Sequence, residues 1–155
     1  MSGVAWIVPT VEDLKAYQVA AALTAYRTAA LGSGQADPFD EALYSVTNRI
    51  RDEIRSCRSN VVSDTPMSIP PGLKWIACLL IVQELEGRLP GVRLTEAHKT
   101  RIEDGLLYLR RIAKCEVIVD LPDDVQDPST AQSGTVGTLI SSRTRTATRS
   151  TLAGL

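Results

Sequence analysis

The chain has 155 residues, of which 44% are hydrophobic and 23% charged, and its formal net charge is −1. That length suits one domain with a real core, and the near-neutral balance excludes a molecule built as a whole to coat nucleic acid or a membrane. The charge is uneven, however: residues 126–155 set Arg143, Arg145 and Arg149 against one acid, Asp127, a balance of +2 that leaves −3 on the remainder.

Cys57, Cys78 and Cys115 are odd in number and far apart, and each lies in or beside an apolar helical stretch. They read as buried free thiols, since a disulfide framework or a metal site wants even counts or close spacing. Free thiols suit a reducing cytoplasm. The N-terminus shows no basic region followed by an apolar one, as a leader would. The densest apolar run, Trp75 to Val82, is far too short to span a bilayer.

In chain order, Trp6, Ile7 and Val8 read as an edge strand or arm over the chain's own core, with packing of Trp6 on a neighbouring subunit as the alternative. Thr10 is an N-cap candidate and Asp13 takes the N3 position, where a negative charge favours a helix start. Residues 11 to about 31 are alanine-rich and helical. Their apolar positions form no single stripe, so a short helix to about Tyr17 and a second to about Ala30 competes with one continuous helix. Gly32-Ser33-Gly34 ends this part.

Asp37-Pro38 is a helix start, an acid at the N-cap followed by proline at the first helical position. Phe39, Leu43, Val46, Ile50, Ile54 and Cys57 then form an apolar stripe. Arg49, Arg51, Asp52, Arg55 and Arg58 read as the opposite, solvated face. The sharper reading of those four arginines is a contact patch, able to meet an acidic partner or DNA phosphates. Asn60 to Pro71 is a proline-punctuated loop. Leu73 to Glu86 is a helix whose first two turns are apolar nearly all round, which places it between the helices at 38–58 and 95–114. Gly87, Pro90 and Gly91 close it.

Thr95 is the N-cap candidate for the last helix, which carries Ile102, Leu106, Leu109 and Ile112-Ala113 on one face and Arg110, Arg111 and Lys114 in its final turns. The expected core is therefore Leu43, Ile50, Ile54, Trp75, Ile76, Leu80, Ile102, Leu106 and Leu109. Gly105, disfavoured inside a helix, reads as a packing site, since an interior glycine often marks close approach of another backbone. His98 sits on a polar helix start, and a lone histidine makes neither a metal site nor a triad. Val117-Ile118-Val119 is extended, and Pro122 prevents helix from resuming.

Beyond Pro122 the composition changes. Residues 123–128 form a linker, and 129–155 are rich in Ser, Thr and Gly with scattered Val136, Leu139, Ile140 and Leu152. This stretch does not fold alone. In an extended chain Arg143, Arg145 and Arg149 share one side, a basic ribbon suited to a partner subunit or to strand addition on a neighbour's sheet. The division is thus a helical domain at 1–122 and an extended arm at 123–155.

Three stretches resemble a known family. Arg101-Ile-Glu-Asp-Gly-Leu-Leu-Tyr-Leu-Arg-Arg-Ile-Ala-Lys114 is similar to the last helix of the head–tail connector proteins of tailed phages, the adaptor or head-completion proteins, including the Mu-like prophage group. Ile69-Pro70-Pro71-Gly72-Leu73-Lys74-Trp75-Ile76-Ala77-Cys78 resembles that family's proline turn and buried helix. Pro9-Thr10-Val11-Glu12-Asp13-Leu14 resembles its opening helix, so the likeness covers roughly residues 8 to 121. It implies an all-α bundle of four or five helices with a long C-terminal arm, and short strand pairing at most. It also implies a ring, twelve copies matching a portal's symmetry, in the virion neck after assembly in the host cytoplasm. The partners it implies are the portal protein, neighbouring copies, a stopper or tail protein, and DNA passing through without sequence recognition. The portal-binding arm would be Val136, Leu139, Ile140, Arg143, Arg145, Arg149 and Leu152, and in a ring Arg49, Arg51, Arg55 and Arg58 would be the candidate channel-lining or subunit-contact face. A tail-completion protein of the same neck is the nearest alternative.

Catalytic signals are missing. There is no P-loop, no dinucleotide glycine pattern, no nucleophile with a histidine at motif spacing and no ligand cluster. Glu103-Asp104 and Asp123-Asp124 read as surface charge. The expectation is a non-enzyme without cofactor, metal or membrane contact. A small helical DNA-binding regulator is the other class, but a DNA-reading helix is basic along its exposed N-terminal half. The helix at 73–86 is too apolar, that at 95–114 opens with Glu96, and that at 38–58 mixes its arginines with acids.

Overall fold

The structure, a computed structural model, describes residues 3–28, 34–87 and 95–125. Among them it is an all-α bundle: α1 (Val11–Leu14), α2 (Ala20–Thr28), α3 (Pro38–Ser56), α4 (Lys74–Glu86) and α5 (Glu96–Ala113), with a 3₁₀ turn at Pro71–Leu73. The expected ends at Ala30 and Pro90-Gly91 and the whole of 126–155 lie outside the described residues.

The alanine-rich stretch is two helices. Thr10 and Asp13 form a reciprocal capping box, the Thr10 hydroxyl accepting from Asp13 N–H and the Asp13 carboxylate accepting from Thr10 N–H. Asp13 also accepts from Lys74 Nζ at 2.8 Å, which ties α1 to the start of α4. Asp37 caps α3 through Phe39 N–H, and its carboxylate receives the Arg27 guanidinium, linking α2 to α3.

α4 is the centre of the bundle and packs on α1, α2, α3 and α5. Nine of its thirteen residues are buried, Ile76 to Val82 without a gap. It runs back along α3, so that Ser45 reaches Glu84 near its far end. Of the expected core, Leu43, Ile50, Ile54, Ile76, Leu80, Ile102 and Leu109 are buried, while Trp75 and Leu106 are only half-buried at the bundle's margin. Gly105 is a packing site, and its neighbours are side chains: a Cβ there would stand 3.2 Å from Ile76 Cγ2 and 3.6 Å from Trp75 Cη2.

The N-terminal segment covers its own body. Ile7 and Ile69 exchange both backbone hydrogen bonds at 2.9 Å, and Val4 N–H donates to Leu121 O while Asp123 N–H donates to Val4 O. The Trp6 indole N–H donates to Asp120 O. Gly3 is required here, because a Cβ would fall 2.6 Å from Pro122 O and from Asp123 Cα. These are isolated bridges, and no sheet forms among the described residues.

The reading of three free thiols is overturned. Cys57 and Cys115, 58 residues apart in sequence, are joined by a disulfide, with Cα atoms 5.2 Å apart. Sequence spacing conceals the pair because each follows the last turn of a long helix, and the bundle brings those two helix ends together. Cys115 holds a left-handed conformation (φ 61°) at the close of α5. Cys115 N–H bonds Ile112 O and Glu116 N–H bonds Arg111 O, the pattern that usually calls for glycine. Cys78 alone is free and buried, and desolvation pushes its thiol up to about 11.

Candidate functional site

The arginines of α3 do not share a face. At ~100° per residue, Arg49 and Arg51 point to nearly opposite sides of the helix. Arg51 is not solvated as expected: it is 5% exposed and turned into the loop that follows α3. Its Nη2 donates to Ser63 O at 2.7 Å, and its Nη1 donates to Ser68 O at 2.7 Å and Thr65 O at 3.0 Å. A planar guanidinium can gather three carbonyls that an ammonium could not hold at once. Burial lowers its pKa from the ordinary arginine value, and the positive charge of Arg55 adds to that. Arg55 itself is exposed and pairs with Asp52 at 3.1 Å. Arg49 and Arg58 are exposed and take part in no ion pair among the described residues.

The loop organised by Arg51 in turn holds the end of the described chain. Asp124 accepts from Ser63 Oγ at 2.5 Å and from both Thr65 N–H and Thr65 Oγ1 at 3.0 Å. The Ser63 hydroxyl bond, with the two Thr65 bonds, keeps the Asp124 carboxyl below the usual range. Asn60 adds a second tie, its Oδ1 accepting from Val119 N–H. These ties fasten the stretch that follows α5 to the loop after α3. The sequence signal for this was the polar set Ser63, Asp64, Thr65 and Ser68 between prolines, which reads as turn material; nothing in it named Asp124 as the acceptor.

A third surface lies on the outer side of α5. Glu103, Leu106, Leu107 and Arg110 line an open groove of about 260 Å³. Leu107 is 55% exposed there, and neither Glu103 nor Arg110 has an ionic partner among the described residues.

His98 offers only its backbone N–H to the Thr95 hydroxyl, which caps α5. Among the described residues no three His, Cys, Asp or Glu side chains gather as metal ligands would. No helix there is long and apolar enough to cross a membrane. The arm residues Val136, Leu139, Ile140, Arg143, Arg145, Arg149 and Leu152 lie outside the described residues. No protein-family model, curated protein or solved structure matches this chain.

Proposed function

We propose that this chain is a structural neck protein of a tailed phage, an adaptor that rings the capsid portal and extends the DNA channel toward the next neck or tail component. The observation that carries the reading is the anchored exit of the C-terminal segment. Three hydrogen bonds to Asp124 and the Val4 clasp fix where the chain leaves the body. The 30 residues beyond Val125 start from that fixed point. Their composition gives too little apolar burial to offset ordering the backbone, roughly 1–2 kcal/mol per residue, so they gain order from a partner. An adaptor needs this division between a rigid body and an arm that enters a neighbour. The order of the helices, with a proline turn leading into a buried α4 and a last helix α5, agrees with the resemblance.

In this reading Arg143, Arg145 and Arg149 meet an acidic groove of the portal, and Val136, Leu139, Ile140 and Leu152 seat apolar contacts beside it. Arg49 on α3 and Arg58 just past its end are the cations left for a neighbouring copy or for DNA phosphates, and Arg55 is already partly neutralised. The work is mechanical and uses no cofactor.

Cosedimentation with purified portal rings tests this. The full chain is expected to dock, and residues 1–125 to stay folded and helical but fail to dock. Replacing Arg143, Arg145 and Arg149 together by Ala weakens docking, with the larger difference at low salt, where these charges are least screened. Equal docking by the truncated chain would remove the arm as the portal anchor and move its contact to a neighbouring adaptor subunit or the tail side.

A further inference from the structure

We infer that the outer face of α5 is a self-association surface, on which a second copy of this chain docks antiparallel about a two-fold axis passing between Leu106 and Leu107. The four groove residues follow helical spacing: Leu106 and Leu107 stand three and four residues after Glu103, and Arg110 stands seven after it, about 10.5 Å along the axis. An acid, two leucines and a base thus lie in line, and the two charges have no ionic partner among the described residues of their own subunit.

This order is self-complementary in one direction only. With two such helices antiparallel, Glu103 faces the second copy's Arg110, and Arg110 faces its Glu103. Leu106 then lies against the second copy's Leu107. Parallel docking would place acid on acid and base on base, a repulsive match. The groove is open, so the half-exposed Leu107 of one copy can seat in that of the other. Asp104 and Arg111 continue the same polarity on the flank, although Arg111 is shared with Glu116 in its own subunit. The apolar patch is small, so the dimer is a weak, reversible one. A two-fold contact closes on itself and builds no ring. It therefore does not depend on the neck reading, and it describes the chain free in solution.

Sedimentation of the full chain from about 10 μM to about 1 mM, at about 0.05 M and about 0.5 M salt, tests the proposal. The expected result is a dimer fraction that rises with concentration and falls with salt. Glu103→Arg and Arg110→Glu each weaken dimerisation on the order of tenfold. Combining the two reversals restores it, because the swapped pattern is again self-complementary. Leu107→Glu gives a monomer with an unchanged helical circular dichroism signal. A monomer throughout for the parent chain, dimerisation indifferent to the single reversals, or a double reversal that fails to restore it would each overturn the proposal. So would a ring of more than two copies untouched by these changes, and that result would leave the neck reading standing.

Discussion

Arg51 and Arg55 stand one helical turn apart on α3, and their surroundings give them different worth. Removing the Arg51 guanidinium leaves the buried carbonyls of Ser63 and Ser68 without their shared donor, while Thr65 O keeps the Ser68 hydroxyl. Arg51→Ala is expected to lower stability by about 2–4 kcal/mol, whereas Arg55→Ala, losing one exposed pair, should stay within about 0.5 kcal/mol. Urea titration of the two variants checks the contrast. Helical spacing did reveal the apolar side of α3, from Phe39 to Cys57. It did not reveal that Arg51 borders that side and finds its acceptors in a loop 12 to 17 residues on. The same blindness concealed the Cys57–Cys115 bond, whose partners meet only once two helices have packed. Hydrophobic pattern is a property of one element, and these pairings are properties of two.

Among the elements, α4 was the most legible, because a helix apolar on every side has only one place to go. Leu80 is 3% exposed within it, and Leu80→Ala should cost about 2–5 kcal/mol by thermal or urea unfolding, with the helix content of the folded state retained. The helix boundaries marked by Thr10, Asp37-Pro38 and Thr95 also agree with the structure, since a cap is a local contract between neighbours in sequence. The N-terminal segment and the stretch 117–124 were less legible. Their few backbone bonds go to each other and to the loop at 60–69. No periodicity can announce such bonds. Of the candidate surfaces, the sequence pointed to α3 by its charge and passed over α5, because Leu106 reads as core when only the spacing is counted.

For the whole molecule, the charged ties between elements share one sign. Lys74 holds the Asp13 carboxyl below its ordinary value, with Thr10 adding to the effect. Arg27 does the same for Asp37, and Ser63 with Thr65 does so for Asp124. Each group has a lower pKa folded than unfolded, so the unfolded chain binds more protons in acid. Their stabilisation is complete above the ordinary carboxyl value of about 3.9 and is lost as pH falls through the depressed folded values. The urea midpoint should therefore hold steady from neutral pH to about pH 5 and drop steeply below about pH 4. Asp13→Asn should make that drop shallower, because one of the three linked groups no longer titrates.

The bond between Cys57 and Cys115 also decides how the body would bear a pull. A load applied to the tail reaches the Asp124 ties and the Val4 clasp first, since they lie nearest the exit. Once these part, only the short run back to Cys115 can pay out. There the tension crosses the disulfide to Cys57 and the end of α3. The chain between the two cysteines, with α4 and α5, then lies off the line of force. With the bond reduced, the intervening residues, a separation of 58, rejoin that line and add roughly 200 Å of extensible chain, at ~3.5 Å per residue. Under tension the oxidised subunit is a short tether with a fixed stop, and the reduced one is a long tether.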